Sequence, residues 1–167
     1  MLATTLIVSP LLVFGLYIYK YHSLALEGWK LFNARCNIVN PALIKVRNTH
    51  LALGAAMSGE ATPTTERFES DLKSLPEQAD QYLKLEKVWL DDQIAYLNRW
   101  DFKLLEPEYM KTAGKYQLAM YQGYYDYYKT VSSFFSGASK DENILDLMDK
   151  YYGEIHTNRD LYNQAFD

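Results

Sequence analysis

The first nineteen residues, MLATTLIVSPLLVFGLYIY, carry no charged side chain, and nothing else in the chain narrows its folding choices as much. Leu2 to Tyr19 is the short end of what crosses a hydrocarbon core of about 30 Å at roughly 1.5 Å per residue. The hydroxyls of Thr4, Thr5 and Ser9 can bond to helix carbonyls, and Pro10 removes one backbone bond, a kink that membrane helices tolerate. Tyr17, Tyr19 and Tyr21 fall where the run meets charge, as an interfacial aromatic belt does. Lys20 can snorkel to the headgroups. A cleaved signal peptide wants a basic flank before the run and small residues after it. Here no Lys or Arg precedes the run, and Tyr-Ile-Tyr-Lys ends it. A lipoprotein signal wants a cysteine just after the run, but the single cysteine is Cys36. A buried core helix would need equally apolar surroundings, which the rest of the chain does not offer. The expectation is a single-pass anchor over residues 1–21, with the lipid bilayer as its partner.

The basic residues give that anchor a direction. Residues 1–50 carry Lys20, Lys30, Arg35, Lys45 and Arg47 against Glu27 alone, all of them after the run. The positive-inside rule then places the body in the cytoplasm of a bacterial-type inner membrane and the N-terminus outside. A lone thiol builds no intrachain disulfide framework, which agrees. Of the chain's 21 acidic side chains all but Glu27 lie beyond residue 50, so the body is acidic while the juxtamembrane part is basic. Anionic headgroups suit the basic part. Nucleic acid does not suit the acidic body and is excluded as a partner.

Residues 22–167 read as one helical domain. The fold class is all-α: an N-terminal transmembrane helix followed by an antiparallel bundle of three to four long helices. Trp29, Phe32, Cys36, Val39, Leu43, Val46, His50 and Leu53 step by three and four, one apolar face of a helix over residues 20–57. Pro41 should kink or divide it after Val39 or Asn40. Thr62 is a fair N-cap with Pro63 following, and Ser74-Leu75-Pro76-Glu77 has the spacing of a capping box that restarts a helix. Over residues 76–105, Leu83, Leu90, Leu97 and Leu104 repeat at seven beside a column of Tyr82, Trp89 and Tyr96. Ile94 and Trp100 widen the stripe, which suits a bundle better than an open two-stranded coiled coil. Glu106-Pro107 breaks that helix. The next carries Met110, Ala113, Gln117, Met120, Tyr124, Tyr127, Val131 and Phe134 on one face. Leu118, Tyr121, Tyr125 and Tyr128 lie on an adjoining one. Gly114 and Gly123 each cost this helix about 1 kcal/mol against alanine, for which close approach of another helix would compensate. Ser136-Gly137-Ala138 makes a turn, Ser139-Lys140-Asp141-Glu142 has capping-box spacing, and a last helix turns Ile144, Met148, Tyr151, Ile155, Tyr162 and Phe166 inward.

Enzymatic constellations are absent from this pattern. None of His22, His50 and His156 follows a glutamate by three residues, as a carboxylate-bridged di-metal bundle requires. There is no paired-cysteine zinc or haem spacing, no glycine-rich phosphate loop and no Gly-x-Ser-x-Gly elbow. His50 reads as a core-edge histidine, and Glu154, His156, Arg159 and Asp160 as a solvated face with local ion pairs. The sequence therefore points to a non-enzymatic scaffold or interaction module without cofactor, metal or small-molecule substrate. Its partners would be other protein helices, in a self- or hetero-complex. The alternative is an accessory subunit of a larger membrane complex. The doubly apolar helix makes Tyr121, Tyr125 and Tyr128 the candidate partner face, although the Tyr-rich run could also line an aromatic-ligand surface.

The last helix reads Leu145-x-Leu147, then Glu154-Ile155, then Arg159-Asp160-Leu161-Tyr162-Asn163. It resembles the closing helix of the LemA family, in which an acidic-apolar pair precedes Arg-x-x-Tyr-Asn. The stretch Asn37-Ile38-Val39-Asn40-Pro41-Ala42-Leu43-Ile44 is similar to that family's Asp-Leu-Ile-Pro-Asn-Leu-Val, with the proline displaced by one. Arg35 stands alone where paired arginines would be expected, and no Tyr-Pro-x-Leu-Lys element follows. The resemblance implies a very short external N-terminus, one span and an antiparallel helical body on the cytoplasmic side.

Overall fold

The computed structural model describes the backbone of residues 2–138 and 143–166, with side chains from residue 12 onward. Every element is helical, and there is no strand among the described residues. The helices are α1 (Leu2–Ala34), α2 (Asn40–Met57), α3 (Thr65–Asn98), α4 (Trp100–Leu105), α5 (Glu108–Phe135) and α6 (Ile144–Gln164). Among the described residues no helix is long and apolar enough to cross a membrane. The side chains of residues 1–11, which carry the first half of the expected span, lie outside the described residues. So does the Ser139–Glu142 capping box.

Cross-helix contacts fix the register. Going up α1 and α2, Leu24, Leu31, Arg35 and Thr49 meet Tyr96, Trp89, Glu86 and Gln78 going down α3. Going down α3 from Leu97 to Tyr82, the partners on α5 run from Gly114 through Gln117 and Tyr121 to Tyr128. Ile155 on α6 meets Gly123, and Phe166, just past its end, meets Tyr109. Successive long segments are thus antiparallel, while the α1–α2 rod and α5 run side by side in parallel. Val39, Val46, Leu53, Leu75, Ala79, Tyr82, Trp89, Tyr128 and Val131 form the central core.

Between α1 and α2 lies a π turn, Arg35–Val39. Pro41 has no N–H to give the carbonyl of Asn37, and its ring crowds that carbonyl. The chain widens by one residue ahead of it, and the N–H of Asn40 reaches back five residues to the carbonyl of Arg35. The expected division at Pro41 takes this form, and it corrects the expected face. Behind the turn, Val39, Val46 and Leu53 are buried as expected, but ahead of it Trp29, Phe32 and Cys36 are exposed. The inward residues there are Leu24, Leu31 and Arg35, because one inserted residue rotates the preceding helix by about 100°.

Other boundaries also move. Thr64, not Thr62, caps α3: its backbone is extended and its hydroxyl accepts from the N–H of Arg67 at 3.3 Å. Ser74 does not restart a helix. It donates to the carbonyl of Asp71 and accepts from Gln78, and α3 continues through Pro76 because Leu75 and Ala79 on either side are fully buried. The helix expected to run to residue 105 breaks at Arg99, and Glu106-Pro107 ends α4. Trp100 and Leu104, beyond the break, are exposed, as are Ile94 within α3 and Phe166 just past the end of α6. Gly114 and Gly123 are close approaches: a Cβ would stand 2.7 Å from Leu97 and 2.9 Å from Ile155.

Candidate functional site

The anchor-side residues lie where α1 leaves the bundle. Leu12, Val13, Phe14, Leu16 and Ile18 are each more than half exposed, and Tyr17, Tyr19 and Tyr21 are exposed too. Tyr17 stacks on Tyr21. Lys20 marks the edge of the covered part: its Nζ is 3.9 Å from the buried Asp101 carboxylate and lies over the Trp100 ring. Arg99 closes this corner. It grips Asp101 with two bonds, Nε to Oδ1 at 2.9 Å and Nη2 to Oδ2 at 2.7 Å, and its Nη1 donates to Glu27. Those bonds hold the Asp101 carboxyl below the usual carboxylate range. Trp100, Leu104, Tyr109 and Phe166 lie exposed on neighbouring segments of this same end.

The tyrosines singled out as a partner face are turned inward. Tyr128 is 3% exposed and packs edge-on against Tyr82, while Tyr121 and Tyr125 are half-buried against the core. Two apolar faces on α5 are used up because α5 has three neighbours, α3, α6 and the α1–α2 rod. His50 is a core-edge residue packed among the rings of Tyr127, Tyr128 and Phe135, and burial lowers its pKa. The cluster on α6 is exposed, with Arg159 on Asp160 and Lys150 near Glu154.

The centre of the bundle holds a feature that periodicity did not disclose. Arg35 (3% exposed) and Glu86 (0%) form a buried ion pair, with Nη1 at 2.6 and 2.5 Å from the two carboxylate oxygens. Nε donates to Asn40 at 2.9 Å, a five-residue contact that the π turn makes possible. The guanidinium lies 3.5 Å from the Tyr121 ring centre and 4.8 Å from that of Trp89. Trp89 is itself fixed by its indole N–H on the Leu31 carbonyl. Nη2 is buried and has no hydrogen-bond partner among the described residues. Desolvation pushes the Glu86 carboxyl up, although Arg35 pulls it down. The same burial, with the charge of Glu86 alongside, pushes the Tyr82 hydroxyl well up, and that hydroxyl completes no hydrogen bond among the described residues. Arg35 falls on the inward face once the π turn is counted, and Glu86 falls on the buried column of α3 between Tyr82 and Trp89.

Arg35 also lines a solvent-open cavity of about 450 Å³ bordered by α1, α3, α4, α5 and the end of α6. Its wall is mainly apolar and aromatic, including Leu31, Trp89, Leu97, Tyr121 and Phe166, with the amides of Asn40, Gln93 and Gln117 as polar points. Gln93 donates to Gln117 at 3.4 Å, so these two amides face each other. Arg35 is the one ionised side chain among the described residues of the wall. No family model matches the chain, and no curated protein or solved structure matches it.

Proposed function

We propose that this chain is a membrane-anchored, non-enzymatic helical bundle that acts as an interaction module at the membrane surface. In this reading residues 1–21 cross the bilayer and the body, 22–167, sits on the cytoplasmic side. The observation that carries it is the exposed apolar segment of α1: Leu12, Val13, Phe14, Leu16 and Ile18 have no cover in the bundle. A contiguous exposed apolar surface marks a membrane or partner contact. Residues 1–11 are likewise uncharged in sequence. The exposed Trp100, Leu104, Tyr109 and Phe166 at the end where α1 departs suit a headgroup boundary. The resemblance to the LemA family points to the same layout. Partner helices would meet exposed apolar side chains such as the stacked pair Trp29 and Phe32, not the inward tyrosines.

Alkaline carbonate extraction of membranes tests the anchor. The full chain is expected in the pellet, and a chain shortened to begin at His22 in the supernatant as a monodisperse helical protein. Release of the full chain by carbonate would overturn the anchor. A shortened chain that is insoluble without another protein would favour the second reading, an accessory subunit whose exposed Trp29 and Phe32 are buried by its complex.

A further inference from the structure

We infer that α4 is a second membrane contact: its outward face, with Tyr109 and Phe166 beside it, lies in the lipid headgroup layer and stands the bundle upright on that end. The inference rests on the reading of residues 1–21 as a span and adds to it the pose of the body. The connection between α3 and α5 is a six-residue helix, set off by the break at Arg99 and by extended backbone at Glu106. Its inward side chains, Asp101 and Phe102, are buried, while Trp100 and Leu104, four residues apart on one face, are 64% and 70% exposed. No large apolar side chain among the described residues is more exposed than Leu104. A single exposed leucine is ordinary, but here apolar groups converge from other segments. Tyr109 at the start of α5 and Phe166 past the end of α6 are both exposed, and their rings meet edge-on. Lys103, next to Leu104, is exposed as well. Tryptophan, leucine and lysine turned outward together suit a helix lying in a membrane interface, and tryptophan and tyrosine collect at headgroup boundaries.

The level of this face decides its occupant. The Nζ of Lys20 lies over the Trp100 ring, 5.4 Å from its centre, so α4 meets α1 at the first charged residue after the uncharged run. The run from Leu2 to Tyr19, about 27 Å long at roughly 1.5 Å per residue, lies on the far side of that level in one continuous helix. A bilayer that takes the run therefore puts Trp100 at its boundary and not in its core. A partner protein is free to sit at any height along the bundle, whereas that bilayer must meet α4 here.

Tryptophan fluorescence of the full chain in phosphatidylcholine vesicles tests the pose. The chain has three tryptophans, none of them in residues 1–21. Trp89 is buried, and Trp29 lies about 13 Å further along α1 than Lys20, so bromine atoms on the lipid chains should quench Trp100 alone. Lipids brominated high on their chains are expected to quench about twofold more than lipids brominated near the chain ends, as a ring at the headgroup boundary requires. Trp100→Phe should abolish the quenching, and adding Leu104→Trp, on the same exposed face, should restore it. Carbonate extraction of the same vesicles reads the span separately. A Trp100 that is not quenched would overturn the inference, and the carbonate result then says whether the anchor falls with it. Quenching that survives Trp100→Phe, does not return with Leu104→Trp, or is stronger near the chain ends would also overturn it. Quenching of Trp100 in protein that carbonate releases would remove the span and still support α4 as a lipid contact.

Discussion

Arg35 ties the turn between α1 and α2 to α3 and α5, and its value lies in being matched. A buried charge that loses its partner is left in a medium that solvates it poorly, while replacing both partners by apolar groups removes the problem. Arg35→Met alone is therefore expected to destabilise the fold by about 3–5 kcal/mol, and Arg35→Met with Glu86→Leu to return to within about 1–2 kcal/mol of the parent. Urea unfolding followed by circular dichroism measures both. A paired variant no more stable than the single one would refute the argument. The single variant should also depend on pH. Burial already raises the Glu86 carboxyl, and loss of Arg35 removes what pulls it down. A carboxyl raised in the folded state favours folding below its unfolded pKa, and that contribution is lost as pH rises through the folded value. The deficit of Arg35→Met should shrink on acidification from neutral pH, as Glu86 takes up a proton. The sequence did not announce this pair because Arg and Glu at three-and-four spacing normally mark a solvated face. Glu86 lies between Tyr82 and Trp89 on α3, on the very column that periodicity had marked as apolar.

At the scale of the element, the π turn explains why one half of a predicted face holds and the other does not. Counting back from Val39 by three, four and three gives Cys36, Phe32 and Trp29, whereas the inward residues Arg35, Leu31 and Gly28 follow by four, four and three, each one position earlier. An offset of one residue is what a single inserted residue produces. Removing the insertion should leave the faces on both sides in register. Deletion of Cys36, exposed and within the turn, is expected to give a helical protein that unfolds cooperatively, with the Arg35–Asn40 contact closing at ordinary helical spacing. Deletion of Lys45, inside α2, would instead rotate one side of the core by about 100° relative to the other. That variant should lose its cooperative thermal transition. If the two deletions are equally damaging by circular dichroism melts, the turn is not an insertion. Pro41 is visible in the sequence, but whether a proline breaks, kinks or widens a helix is decided by packing. Pro76, carried inside α3 between buried Leu75 and Ala79, shows the other outcome.

For the whole molecule, the all-helical class, the antiparallel order and the close approaches at Gly114 and Gly123 were legible, since they follow from periodicity, breakers and the cost of glycine in a helix. The inward turn of the α5 tyrosines was not, because a helix apolar on two sides can face either a partner or two neighbours of its own chain. Nor was the corner that joins α1 to the rest, because Glu27 is far in sequence from Arg99 and Asp101 and each looks solvated. That corner decides whether the segment leaving the bundle is a rigid rod or a hinged one. α1 is continuous from Leu2 to Ala34, and Arg99 ties Glu27 on it to the buried Asp101 at the start of α4, with Lys20 alongside. Proteolysis needs local opening, so cleavage at Lys20 and Lys30 reports how firmly α1 is held there. Arg99→Gln would leave Asp101 buried with only the distant Lys20 for a cation. Trypsin is expected to cut the variant in α1 about tenfold faster than the parent, with the cuts after Lys20 and Lys30 while α3 and α5 stay intact. Parent and variant cut at the same rate would mean that the exposed segment is hinged despite its contacts. An apolar helix on a hinge could fold back and cover itself, whereas a clamped one keeps its apolar surface turned outward and holds the bundle at a fixed distance from whatever receives it.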